Sequence, residues 1–173
     1  VLSFFCAGTP SRRGVEGILD RIHVDASHVT SFSFRDDGWP GETVVETLRS
    51  RHTLKYEESW GRILGPTVQH RCKICADGIG ENSDITSADV WLADENGNPQ
   101  FTEASGIGLV LARSSMGNMI VRQMIDSKLL ECTDFDLDDL NQIQSSQFER
   151  KCTILPRVIA KTLLFKATPK YQR

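Results

Sequence analysis

No apolar run in this chain is long enough to cross a bilayer, and no signal-peptide pattern opens it. There is no G-x-S-x-G elbow and no G-x-x-x-x-G-K-[ST] loop. None of His23, His28, His52 or His70 falls in a motif with a serine or cysteine. A hydrolase reading therefore has nothing to stand on. An excess of one charge is also missing. Twenty basic residues face 23 acidic ones, and the net charge of −3 gives no general reason to expect nucleic acid or a membrane surface. No internal repeat or low-complexity tract is present. What remains is a chain of 173 residues, 39% hydrophobic and 25% charged, which suits one soluble domain with a sizeable core.

Cysteine occurs five times, at Cys6, Cys72, Cys75, Cys132 and Cys152. An odd count with one C-x-x-C pair argues for metal binding in a reducing, cytoplasmic compartment over a disulfide framework. Cys72 and Cys75 place two thiols on one soft centre, zinc or iron–sulfur, and supply half of the ligands that either takes. Cys132 and Cys152 read as small buried hydrophobes.

The chain begins at Val1 inside an apolar run that reads as a buried strand to Cys6, so a longer polypeptide with an N-terminal part before Val1 is expected. Gly8-Thr9-Pro10-Ser11 follows. A helix then carries Val15, Ile18, Leu19 and Ile22 on one stripe, with Ser11 at its N-cap. In a strand–loop–helix unit the loop N–H groups suit an anionic ligand or a cofactor phosphate; the plain alternative is an ordinary turn. A second strand at Val29–Phe34 leads into Arg35-Asp36-Asp37-Gly38-Trp39-Pro40-Gly41. That shaped loop offers Arg35 to phosphate or carboxylate and Trp39 to a planar ring; alternatively it is a surface turn with one packing Trp.

A hairpin is expected from Thr43–Leu48 and His52–Tyr56, and a short helix over Glu57–Leu64 with Trp60 in the core. Strands are expected at Ile85–Trp91, Ile107–Ala112 and Leu129–Glu131, and a turn at Asp94–Asn98. Ser114 or Ser115 caps a helix whose stripe of Met119, Ile120, Met124 and Ile125 reads as core. The aspartates of Asp134–Asp139 suit a helix start. The last segment is amphipathic, with Arg150, Lys151, Arg157, Lys161 and Lys166 on a solvated face and Pro156 near a helix start. The expected fold is α/β (α+β): a single domain over 1–173, a mixed sheet with flanking helices, and a helical tail over 134–173.

Four ordered stretches carry a resemblance. They are Cys6-Ala7-Gly8-Thr9-Pro10-Ser11, Phe34-Arg35-Asp36-Asp37-Gly38-Trp39, Arg71-Cys72-Lys73-Ile74-Cys75, and Asp84-Ile85-Thr86-Ser87-Ala88-Asp89-Val90-Trp91. The chain resembles the C-terminal domain of the coenzyme F420 hydrogenase/dehydrogenase beta-subunit family, whose pattern is C-x-G-x-P-S, F-R-x-x-x-G-W, C-x-x-C and D-I-x-x-G-D-x-W. The resemblance implies an oxidoreductase subunit that moves electrons between a 4Fe-4S cluster, a flavin (FAD) and coenzyme F420 or a related conjugated substrate. It places Cys6, Cys72 and Cys75 at cluster-ligand positions, with a fourth cysteine in an upstream G-x-P-C. It sets Gly8, Thr9, Pro10, Ser11, Arg35, Gly38 and Trp39 against the organic cofactor, and it implies a redox partner protein. No side chain is required as a general acid or base. Ala88 departs from the family's glycine, at a cost of about 1 kcal/mol if that position needs a positive φ. The rival reading is a structural zinc or partner-binding module without redox activity.

Overall fold

The computed structural model describes residues 1–36, 38–91, 100 and 104–169. The turn expected at Asp94–Asn98 lies outside the described residues. The chain divides into two compact units. One comprises Val1–Ala7, Lys73–Pro99 and Ile107–Arg173; the other comprises Gly8–Cys72 and Gln100–Gly106. Mixed and antiparallel sheets with flanking helices make the fold α/β, as the sequence leads one to expect.

In the unit that starts at Gly8, helix α1 spans Arg12–Arg21, with Ser11 as its extended N-cap. The Ser11 carbonyl accepts the Gly14 N–H at 2.9 Å, while its hydroxyl makes no capping bond. Strands β2 (Val29–Ser33), β3 (Thr43–Thr47) and β4 (Arg51–Leu54) form an antiparallel sheet in that order. The expected hairpin is present. Its turn is held by Thr47, whose hydroxyl oxygen accepts the N–H of Arg49 at 3.1 Å and of Ser50 at 2.9 Å. Glu57–Leu64 is a π-helix, in which the N–H of Gly65 reaches back to the Trp60 carbonyl. Ile18 and Leu19 from the α1 stripe pack with Val45, Leu54 and Leu64, and Trp60 lies against this core as expected. The short helix α2 (His70–Lys73) carries Cys72.

In the other unit, β1 (Leu2–Phe4) runs parallel to β5 (Ile85–Asp89), and β6 (Gly108–Ala112) is antiparallel to β5. The order is β1-β5-β6, so β1 is an edge. Contrary to the expectation of a buried strand, Leu2 and Phe4 are largely exposed: alternation puts both on one face of the sheet, and among the described residues little covers that face. Helix α3 spans Ser115–Asp126. Ser114 caps it, its Oγ accepting the Gly117 N–H at 3.0 Å.

The Met119/Ile120/Met124/Ile125 stripe is not core: Met119 is 46% and Met124 37% exposed. The covered face of α3 is the one bearing Gly117, where a Cβ would collide with the Asp84 carbonyl and sit 3.1 Å from Ile85. Leu129–Glu131 is not a strand either. The N–H groups of Leu129 and Leu130 both turn back to the Met124 carbonyl, closing the helix C-terminus. Cys132 and Cys152 are exposed, not buried.

The tail is helical, with a 3₁₀ turn at Leu137–Asp139, then α4 (Leu140–Ile143), α5 (Ser145–Cys152) and α6 (Ile154–Leu163). Asp136 caps the 3₁₀ turn by accepting the Asp138 N–H at 3.0 Å, in line with the expected helix start. Pro156 lies in the first turn of α6.

Candidate functional site

Gly8 stands at φ +104°, a conformation open to glycine. A Cβ there would lie 2.6 Å from Val68 Cγ1 and 3.1 Å from Cys72 Cβ. The loop runs beside Thr67–Gln69: Gln69 N–H donates to the Thr9 carbonyl at 3.0 Å, and Ser11 N–H to the Thr67 carbonyl at 2.9 Å. This brings the Thr9 N–H onto Cys72 Sγ at 3.4 Å. The glycine loop and one thiol of the C-x-x-C pair are therefore brought together.

Cys6 and Cys75 belong to the other unit. Their segments meet through the backbone, the Cys6 N–H donating to the Gly78 carbonyl at 2.9 Å. Cys6, Cys72 and Cys75 are half-buried thiols outside any disulfide. Free thiol sulfur is the donor chemistry of an iron–sulfur or zinc ligand, and the Cys72 sulfur also has a backbone N–H on it. Among the described residues no set of three or more His, Cys, Asp or Glu side chains is gathered at metal-binding distance.

The shaped loop after β2 is built on Gly38 (φ +96°) and Gly41 (φ +85°). A Cβ on Gly41 would lie 2.8 Å from the Asp36 carbonyl oxygen. Arg35 donates from Nε to the Pro40 carbonyl at 2.8 Å, and its guanidinium lies 5.4 Å from the Trp39 ring centre and 5.8 Å from that of Tyr56. The backbone of Gly106 presses on the same indole; a Cβ there would be 2.9 Å from Trp39 Cε3. Beside this loop opens a cleft of about 500 Å³, whose lining includes Gly38, Trp39, Arg51, Lys55, Tyr56 and Glu57. Arg51 is tied to Asp36 at 2.8 Å and to Glu46 at 3.5 Å.

Arg35 thus organises the loop and braces Trp39. The sequence reading missed Arg51, Lys55 and Tyr56. The only signal for them was the hairpin itself, whose pairing of Thr43 with Leu54 sets the start of the π-helix beside Trp39.

The last motif has a structural task. Oγ1 of fully buried Thr86 donates to the Gly80 carbonyl at 3.1 Å, contacts Ser83 Oγ at 2.8 Å and accepts Arg113 Nε at 3.0 Å. Arg113 also donates to the Ile79 carbonyl at 2.9 Å. This network fixes the loop that follows Cys75. The Asp84 carboxylate accepts from the Val1 nitrogen and the Ser114 hydroxyl, and these hydrogen bonds lower its pKa from the ordinary carboxylate value. Ala88 pairs with Leu109 in regular strand and is not among the non-glycine residues with positive φ, so replacing the family's glycine strains nothing here.

The family described as the C terminus of the coenzyme F420 hydrogenase/dehydrogenase beta subunit matches residues 1–138. No curated protein matches the chain. The chain belongs to the coenzyme F420 hydrogenase/dehydrogenase beta-subunit family, through its C-terminal region, and so has an oxidoreductase-related role.

Proposed function

We propose that this chain is a redox subunit that carries electrons between a 4Fe-4S cluster, FAD and coenzyme F420 or a related conjugated substrate. Family membership supports the reading at the level of an oxidoreductase subunit. The observation that carries the finer reading is the Thr9 N–H on Cys72 Sγ at 3.4 Å, beneath a loop that only glycine can turn at position 8.

When bound, the two cofactors supply the conversion between hydride chemistry and single-electron transfer. Cys6, Cys72 and Cys75 would hold the cluster, and the Thr9 N–H would orient the Cys72 sulfur. The Gly8-Thr9-Pro10-Ser11 loop offers its backbone to phosphate. Arg35 holds Trp39 in place beside Gly38, and Trp39 and Tyr56 give the cleft aromatic walls for a planar ring. Arg51 and Lys55 face the anionic part of the ligand. Residues 1–173 act as one family domain with 134–173 as its helical tail, in the cytoplasm, beside a redox partner protein. Among the described residues, no helix is long and apolar enough to cross a membrane.

Anaerobic reconstitution of the full chain with iron, sulfide and FAD tests this. The expected product is brown, contains matched iron and sulfide, retains FAD and bleaches on reduction. Zinc bound in place of iron, with no flavin uptake, favours the structural module. A colourless, iron-free protein that stays folded under anaerobic conditions would remove the redox reading.

A further inference from the structure

Three polar side chains of the tail reach backbone carbonyls of the two thiol-bearing segments in their own unit. Gln147 Nε2 donates to the carbonyl of Cys6 itself at 3.0 Å. Lys151 Nζ donates to the Ala76 carbonyl at 3.1 Å, one residue after Cys75, and pairs with Glu81. Arg157 Nη1 donates to the Lys73 carbonyl at 3.1 Å, two residues before Cys75. A fourth, Arg150, lies over Gly78, so close that a Cβ on that residue would collide with the guanidinium. Gly78 is the residue whose carbonyl receives the Cys6 N–H. Lys151 and Arg157, which looked like part of a solvated face, thus bracket Cys75 on both sides, while Gln147 touches the Cys6 peptide. They lie beyond the residues 1–138 that the family pattern covers.

Gln147 shows that this contact is specific. The residue is 8% exposed, and its Oε1 is buried with no partner among the described residues. Turning the amide over would set two oxygens against each other at the Cys6 carbonyl. The orientation is therefore fixed by the carbonyl that the amide serves, at the expense of its own second atom.

We infer that α5 and α6 form a strap that holds the Cys6 and Cys75 segments in their binding conformation, with Gln147, Lys151 and Arg157 as positioning residues for those thiols. The inference rests on the reading of these cysteines as cluster ligands for its purpose, but the strap itself exists with or without the cluster. Freed of these tethers, the thiol segments become more mobile and their sulfurs more accessible.

The test is site-resolved alkylation of the full chain, metal-free and reduced, with each cysteine followed by peptide mass spectrometry. Gln147→Leu should speed labelling of Cys6 several-fold, and Lys151→Met and Arg157→Met that of Cys75. The already exposed Cys132 should keep its rate in every variant. Lys151→Arg should restore the wild-type rate at Cys75. If Gln147→Leu fails to fold, Lys151→Met, made on a partly exposed side chain, carries the test. Unchanged labelling of Cys6 and Cys75, or the same acceleration in Lys151→Arg as in Lys151→Met, overturns the strap. In reconstituted protein the Met variants should lose iron faster than wild type. A chain that never takes up iron would sink the proposed function, while the labelling arm would still decide the strap.

Discussion

The two units are held together differently. The unit that runs from Gly8 to Cys72 is organised by apolar burial: Ile18 and Leu64 are wholly inaccessible, and Leu19, Val45 and Leu54 pack with them. In the unit that contains Cys6 and Cys75, apolar side chains such as Met116, Leu155 and Leu163 stand exposed. What is buried there is in good part polar: Ser83, Thr86, Gln144 and Gln147. Hydrocarbon contacts are non-directional, so the first kind of packing tolerates adjustment. Buried hydrogen bonds are directional and costly to leave unmade, so the second kind fixes backbone carbonyls and thiols at defined positions. The cleft with its aromatic walls sits on the apolar scaffold. Two of the three candidate sulfurs sit on the polar one.

Breaking the apolar scaffold should produce the largest effect. Ile18→Ala or Leu64→Ala removes a fully buried side chain and should cost about 2–5 kcal/mol, read as a lower denaturant midpoint. Ile120→Ala on the exposed stripe of α3 should cost well under ~1 kcal/mol in the same assay. Equal losses at both positions would erase the contrast.

Gly8→Ala comes next. The positive φ and the 2.6 Å approach to Val68 should cost about 1–3 kcal/mol and displace the Thr9 N–H from Cys72. The second consequence is read as reduced iron retention after reconstitution, and normal retention would separate the loop from the thiol.

Thr86→Val sharpens the polar side of the comparison. It keeps the shape and removes the hydroxyl that joins Gly80, Ser83 and Arg113. A loss of about 1–3 kcal/mol is expected from the groups left unpaired, with faster hydrogen exchange over residues 79–83. Stability equal to wild type would mean that the network is incidental.

The smallest effect is electrostatic. The folded value of Asp84 lies below its ordinary one, so the native state binds the proton less readily than the unfolded chain. Its contribution is complete above the ordinary carboxylate value and disappears as the pH falls through the lowered folded value. Ser114→Ala removes one of the hydrogen bonds that lower it, together with the α3 cap, for about 1 kcal/mol. A carboxyl titration by NMR should then show Asp84 moving up toward the ordinary range. No movement would show that the Ser114 hydroxyl does not set the shift.

Much of this was legible from residue order. The period of Val15, Ile18, Leu19 and Ile22 identified α1 and its core face, Gly8 marked the turn, and the ordered motifs pointed to the family that residues 1–138 match. Three of the errors share one cause. The stripe of Met119 and Met124, the run of Leu2 and Phe4, and Cys132 and Cys152 were judged by apolarity, which says what can be buried but not whether anything covers it. Leu129–Glu131 had strand-like composition, yet its N–H groups were taken by the preceding helix end. Tyr56 and Lys55 carried no motif and came to Trp39 through strand pairing.

Sequence alone determined the local elements, the thiol inventory and the glycines, because periodicity and backbone freedom act over a few residues. Only tertiary structure decided which face of α3 meets the sheet, where the basic side chains of the tail end, and that the Thr9 N–H lies on the sulfur of Cys72. Those contacts join residues as many as 141 positions apart, as Gln147 and Cys6 are, and nothing in their immediate neighbours specifies the partner.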